Sequence, residues 1–185
     1  TEVGPNLTSL HQNDAIRKKG SIGRPNFYVN IRIVGENGED VPVNTPGELW
    51  LRGPMVTPGY WKNPEGTRNA FSADGKWFRS GDMVRQDEEQ YIYVVDRLKN
   101  MFISGAENVY PAEIERVLVQ HPAIAEAAVV GVPDEKWGEV GKAFVVLRKE
   151  AAIRENEILD YCKQQLAKFK VPKYIVLCAE IPKHD

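Results

Sequence analysis

Near Arg97 the hydrophobic pattern of the chain changes period, which limits it to two differently built parts. Tyr91-Ile92-Tyr93-Val94-Val95 reads as a strand and ends in the charged pair Asp96-Arg97. A short link, Leu98-Lys99-Asn100, leads through Ser104-Gly105 to a helix opened by Pro111, a residue tolerated in the first turn. Before the link the text is β-rich. Tyr28 to Val34 alternates apolar and polar residues, Gly47 to Gly53 is a second strand, and Asn63-Pro64-Glu65 starts a short helix through Phe71. The pairs Trp77-Phe78 and the 91–95 run flank a predicted loop holding Gly81-Asp82.

After the link, helices and strands alternate. Pro111 to Gln120 is a predicted helix with Ile114, Val117 and Leu118 on one face, stopping near His121-Pro122. Strands are expected at 127–132 and 141–148, separated by Pro133 to Gly138. A second helix, about 155–168, puts Ile158, Cys162, Leu166 and Phe169 in one stripe, with early acidic and late basic residues that suit its dipole. Tyr174 to Cys178 is a last strand. The fold class is therefore α+β, with domains at 1–97 and 98–185.

Charge argues against nucleic acid as the main partner. Each side of the Arg97 boundary carries 12 basic and 13 acidic residues, so neither half is polarised. The one basic cluster, Arg17-Lys18-Lys19, reads as a solvated loop. Two distant cysteines, Cys162 and Cys178, form neither a disulfide framework nor a zinc pattern, which fits a reducing cytoplasm. No run approaches the roughly 18 apolar residues of a membrane span, and no signal peptide is visible. The first residue is Thr1 rather than methionine. Oligomeric state has no signal.

Some residue types suit nucleotide chemistry. Asp82 in Arg79-Ser80-Gly81-Asp82 could accept both hydroxyls of a ribose diol. Arg97 could bring a permanent, forked positive charge to a ribose or phosphate oxygen. Taken singly, the plainer readings are favoured: Asp82 as a turn residue, and Arg97 in a surface ion pair with Asp96 or another carboxylate. Glycine at 105 would let a backbone or a thin ligand arm approach closely.

Order and spacing change those odds. Thr1-Glu2, Gly20-Ser21-Ile22-Gly23-Arg24-Pro25, Gly47-Glu48-Leu49 and Gly59-Tyr60-Trp61 occur in sequence. Arg79 to Asp82, Asp96 to Glu115, Gly131-Val132-Pro133-Asp134 and Gly138-Glu139 follow. Together they resemble the C-terminal part of an AMP-forming acyl-CoA synthetase of the adenylate-forming superfamily, over essentially all 185 residues. The resemblance implies a β-rich, distorted-barrel part of that family's large domain, then its small mobile C-terminal domain.

It also implies roles. Thr1 would contact the adenylate and Glu2 would help hold Mg2+. Asp82 and Arg97 would bind ATP or AMP. Lys99 would be the hinge, and Ser104 and Gly105 would line the path of CoA. Glu107 would serve in positioning only. The substrates would be a small-molecule carboxylic acid, ATP and CoA. The alternatives are an adenylation domain loading a carrier protein, or a non-catalytic regulatory or assembly module. The run Glu107 to Glu115 favours the CoA ligases.

In that family a glycine-rich phosphate loop lies upstream of the position of Thr1. Ile181-Pro182-Lys183-His184-Asp185 resembles the start of a terminal motif whose Gly-Lys pair would follow. Lys183 is therefore not the adenylation lysine, and His184 reads as a loop residue. The expectation is a fragment that forms no acyl-adenylate by itself.

Overall fold

The computed structural model describes residues 2–182; Thr1, Lys183, His184 and Asp185, and the roles expected of them, lie outside. The chain divides into two compact units, the first running to Leu98 and the second starting at Lys99.

The first unit contains β1 (Thr8–Ser9), β2 (Ser21–Pro25), β3 (Asn30–Val34), β4 (Gly47–Arg52), α1 (Pro64–Ala70), β5 (Phe78–Gln86) and β6 (Ile92–Arg97). The strands form one antiparallel sheet in the order β1-β2-β6-β5-β4-β3, curled like half a barrel. Alternation dictates its faces. Ile33, Leu49, Leu51, Phe78, Val84 and Ile92 form a buried core, while Arg32, Trp50 and Arg79 point to the other side in one cross-strand row. Helix α1 follows from its sequence: the Asn63 side chain accepts the Gly66 N–H (2.7 Å) and Pro64 fills the first turn.

Two expectations for this unit change. The Arg17-Lys18-Lys19 segment is a surface turn as expected, but it is not simply solvated, because Arg17 and Lys18 are held in ion pairs. Lys18 pairs with Asp87 (2.7 Å) and Glu89 (2.6 Å), and Arg17 pairs with Asp14 (2.8 Å) and Glu89 (2.7 Å), around the ring of Tyr91. Asp14 is a local partner, but Asp87 and Glu89 lie some seventy residues away in sequence, where no local pattern reveals them. Gly81 and Asp82 are not in a loop either. They belong to β5, at a bulge where Glu48 faces Met83 and Trp50 faces Arg79.

The second unit contains β7 (Phe102–Ser104), β8 (Glu107–Val109), α2 (Pro111–Gln120), β9 (Ile124–Asp134), β10 (Gly138–Leu147), α3 (Glu155–Gln165) and β11 (Tyr174–Leu177). Strand β10 is the axis of its sheet, with β9 antiparallel on one side and β11 parallel and β7 antiparallel on the other. Helices α2 and α3 cover the sheet with Ile114, Leu118, Ile158 and Cys162, which close on Phe102, Ile124, Val129, Val145 and Ile175. Burial pushes the Cys162 thiol up to about 11.

Strands β9 and β10 extend beyond the predicted 127–132 and 141–148 on the sides facing residues 133–138 and form a tight hairpin. Pro133 is tolerated inside β9 because β9 lies at the sheet edge, where a missing N–H breaks no ladder. Nearby, the Glu115 carboxylate accepts the Val129 N–H (2.8 Å), so one edge group is satisfied from α2. Helix α3 stops at Gln165, since Leu166 is extended (φ −120°, ψ 150°). Phe169 leaves the predicted stripe and sits in a short 3-10 turn, Lys168–Lys170, 37% exposed.

Candidate functional site

In the first unit, the pairing of β5 with β6 sets Asp82 opposite Arg97, and their side chains form an ion pair. Asp82 remains about a third exposed and Arg97 about half, so the pair stays open to a ligand. The Asp82 carboxylate raises the affinity of Arg97 for its proton, above the ordinary guanidinium value. Asp96, expected as one alternative partner for Arg97, instead accepts the Arg97 backbone N–H (2.6 Å) and is buried.

The corner before Asp82 is held from two sides. The Asp82 N–H donates to Ser80 Oγ (3.1 Å), and the Gly81 N–H donates to Glu48 Oε1 (3.2 Å). Gly81 is left-handed (φ 71°), and nothing lies within 4 Å of where a Cβ would stand. Conformation rather than crowding therefore requires glycine there.

Glu2 accepts from the Tyr60 hydroxyl (3.3 Å). Its own backbone amide and that hydroxyl hold its carboxyl below the usual range, so it is ionised at neutral pH. Among the described residues, no three His, Cys, Asp or Glu side chains converge into a metal-binding group. A magnesium ion shared with substrate phosphates needs only one or two protein carboxylates, so Glu2 fits that arrangement.

In the second unit, Ser104 is not a turn residue as expected; it ends β7 and is buried. The turn is Gly105-Ala106, between paired Ser104 and Glu107, and both turn residues are left-handed (φ 60° and 69°). The Gly105 N–H donates to the Trp137 carbonyl (2.9 Å), and the Trp137 ring covers Gly105 so closely that a Cβ there would stand 2.7 Å from it. Close approach at Gly105 is thus real, with an indole as the near neighbour. Glu107 is exposed at the start of β8. Lys99 opens the second unit, within the 3-10 turn Leu98–Asn100.

Ser104 and Trp137 also line a groove of about 720 Å3 whose surface is mostly apolar. Phe169, Leu166 and Val171 contribute, and so do Lys163, Lys168 and Lys173. Sequence reading singled out none of the lysines, and it placed Phe169 in the core. The remaining hint was Lys168-Phe169-Lys170, an aromatic residue between cations just beyond a helix end. The groove is anchored by Asp134. Its carboxylate pairs with Lys173 and accepts the Lys136 and Trp137 N–H groups (both 3.0 Å). Lys173 and these two N–H groups hold the Asp134 carboxyl below its ordinary range.

No helix among the described residues is long and apolar enough to cross a membrane.

Known proteins resemble the chain at both ends. The AMP-binding enzyme family matches residues 1–61, and the AMP-binding enzyme C-terminal domain family matches residues 113–185. A long-chain-fatty-acid–CoA ligase of Mycobacterium tuberculosis is 43% identical over 177 residues, 96% of this chain and 34% of that protein. A 2-succinylbenzoate–CoA ligase of Bacillus cereus is 44% identical over 184 residues, covering 100% of this chain and 37% of that protein. Among solved structures, o-succinylbenzoate coenzyme A synthetase from Bacillus subtilis in complex with AMP superposes with a TM-score of 0.89 at 36% identity, over 100% of this chain and 37% of that one. The same enzyme in complex with ATP and magnesium ion gives 0.85 at 36% identity, over 96% and 36%. The chain spans about a third of the length of these relatives. With both of its ends matched by family domains, and sequence likeness running through the segment between them, the chain belongs to the AMP-binding enzymes of the adenylate-forming superfamily.

Proposed function

We propose that this chain supplies the nucleotide-side β-sheet corner and the thioester-forming domain of an AMP-forming acid–CoA ligase. In the first half-reaction the substrate carboxylate attacks the α-phosphorus of ATP, and the bond to pyrophosphate breaks. In the second, the thiol of CoA attacks the acyl carbon, the acyl–oxygen bond breaks, and AMP leaves with its phosphate oxygen. The observation that carries the reading is the open ion pair of Asp82 and Arg97 on adjacent strands.

Asp82 accepts the two ribose hydroxyls through its carboxylate, while Arg97, its ion-pair partner, faces ribose or phosphate oxygen. Thr1 would contact the adenylate. Glu2, ionised at neutral pH, would help hold magnesium, which when bound offsets charge developing on the phosphates. Lys99 acts as the hinge that lets the second unit serve both half-reactions in turn. Glu107 has a positioning role only.

Ser104 and Gly105 carry the pantetheine arm of CoA. The groove that Ser104 shares with Lys163, Lys168 and Lys173 supports CoA over a carrier protein as acyl acceptor. Lysines suit the phosphates of CoA, and a carrier-bound pantetheine lacks the 3′-phosphonucleotide.

Two measurements test the reading. Titrating AMP into the chain, followed by 15N amide shifts, should move residues 80–84 and 95–98, and Asp82→Ala should shift that response to higher AMP concentration. In the full-length ligase, acid-dependent AMP release should rise with CoA and much less with pantetheine. AMP shifts confined to other residues, or no acid-dependent AMP release from a broad carboxylic-acid panel, would reject it.

A further inference from the structure

Gly47-Glu48-Leu49 stood out in the sequence without acquiring any chemistry. In the structure Glu48 is one of few buried carboxylates, 8% exposed, on the sheet face opposite Leu49 and Leu51. A carboxylate removed from water is costly unless donors replace the lost hydration. Three donors do so: the Trp50 indole N–H (2.8 Å) and Arg79 Nε (3.2 Å) to Oε2, and the Gly81 N–H (3.2 Å) to Oε1.

The third donor is the informative one. Along β4 only Leu49 separates Glu48 from Trp50, yet their partners Met83 and Arg79 are separated by Ser80, Gly81 and Asp82. The two surplus residues form the bulge, and a bulge takes backbone N–H groups out of the ladder. Glu48 accepts one of them, from left-handed Gly81, and Ser80 Oγ accepts the next, from Asp82 itself. On the other side of β5 the register with β6 shifts between Met83 and Val84, one pair beyond Asp82–Arg97. Asp82 thus sits between two irregularities, and the backbone on its N-terminal side is fixed by one buried side chain from the neighbouring strand.

We infer that Glu48 is a positioning residue for the nucleotide site, holding the Gly81 corner so that Asp82 presents its carboxylate to ribose. The inference rests on the ribose-binding role proposed for Asp82. It explains why a buried acid is kept where an apolar residue would cost less desolvation. A positioning bond of this kind works by preorganisation: without it, binding must also order the corner.

AMP is the probe and the 185-residue chain the protein. Glu48→Gln preserves shape but offers one acceptor oxygen to three donors, and should weaken AMP binding roughly five- to twentyfold. Glu48→Ala should do at least as much, and Asp82→Ala should cost more than either. Trp50→Phe and Arg79→Met each delete one donor but leave the Gly81 bond, and should stay within about twofold of wild type. Ile92→Ala, a core change on β6 opposite Gln86 rather than the corner, should lower Tm without changing AMP affinity, which separates positioning from general destabilisation. In wild type, where no folding question arises, the Gly81 amide and the Trp50 indole N–H should both shift when AMP is added. Unchanged AMP affinity in the Glu48 variants, with loss in Asp82→Ala, overturns the positioning role and leaves the ribose reading intact. Unchanged affinity in Asp82→Ala overturns both. A Gly81 amide that does not respond to AMP in wild type overturns the positioning role even if the variants fail to fold.

Discussion

Asp82 and Arg97 occupy facing positions on β5 and β6, and the ion pair between them leaves both side chains accessible. An exposed pair of this sort contributes little to stability. Under the proposed function, its value lies in the ligand it would receive. Asp82→Ala should leave Tm within a few degrees and weaken AMP binding about 10- to 100-fold, the range for losing hydrogen bonds to a charged group. Arg97→Lys keeps the charge but loses the planar fork, and should cost less. Isothermal titration on both variants checks this. A large Tm drop in Asp82→Ala with unchanged affinity would make the pair structural.

Gly105 and Trp137 give a prediction about stability rather than binding. An alanine at 105 must keep a left-handed backbone (φ 60°) and place its Cβ 2.7 Å from the indole. A strained residue of this kind costs about 1–3 kcal/mol, and the clash adds to it. Gly105→Ala should therefore lower the urea midpoint clearly. Trp137→Ala should relieve the clash but not the backbone strain, so the double variant should recover part of the loss. Additivity in that cycle would show that the ring does not press on the turn.

These residues also show what a sequence can and cannot disclose. Alternation at 28–34 and at 47–53 revealed strands, because a half-buried sheet repeats every two residues. The helix at Pro111–Gln120 was legible for the same kind of reason, with a proline at its start and His121-Pro122 at its end. Ordered motifs singled out Asp82 and Arg97, which the sheet sets opposite one another, but the strand bulge beside Asp82 was not legible. The burial of Glu48 was invisible, since alternation puts it on the face away from Leu49 and Leu51, where a carboxylate looks solvated. The indole over Gly105 joins positions 32 residues apart through a hairpin, and the Lys18–Asp87 pair joins two loops. Such contacts depend on the assembled sheet, and no local window contains them.

The Asp134 cluster predicts a response to acid. Its carboxyl is held below the ordinary value by Lys173 and by the N–H groups of Trp137 and Lys136. A depressed folded-state value means that the stabilisation is complete above the unfolded carboxyl value, near pH 4, and is lost as pH falls below it. The turn carrying Trp137 should loosen over that window. Urea unfolding between pH 6 and pH 3 should show a smaller acid loss in Asp134→Asn than in wild type, and a lower stability for the variant at pH 6. Parallel curves would assign the acid response to other carboxylates.

Lys99 tests the proposed two-step use of the second unit. It is the first residue of that unit and lies in a 3-10 turn, so a change in its φ and ψ would turn everything that follows. Proline there fixes φ near −65° and also restricts Leu98. Adenylation in the full-length ligase, followed by acid-dependent pyrophosphate exchange, should fall by no more than about threefold in Lys99→Pro if one pose tolerates that φ. Thioester formation needs a second pose and should fall at least tenfold, a difference of about 1.4 kcal/mol in barrier. Lys99→Ala, which removes the amine but leaves the dihedrals free, should change neither step much. Equal loss of both half-reactions in Lys99→Pro would show a general defect of the junction. Loss in Lys99→Ala would assign the effect to the ammonium group, and the backbone would no longer be the acting part.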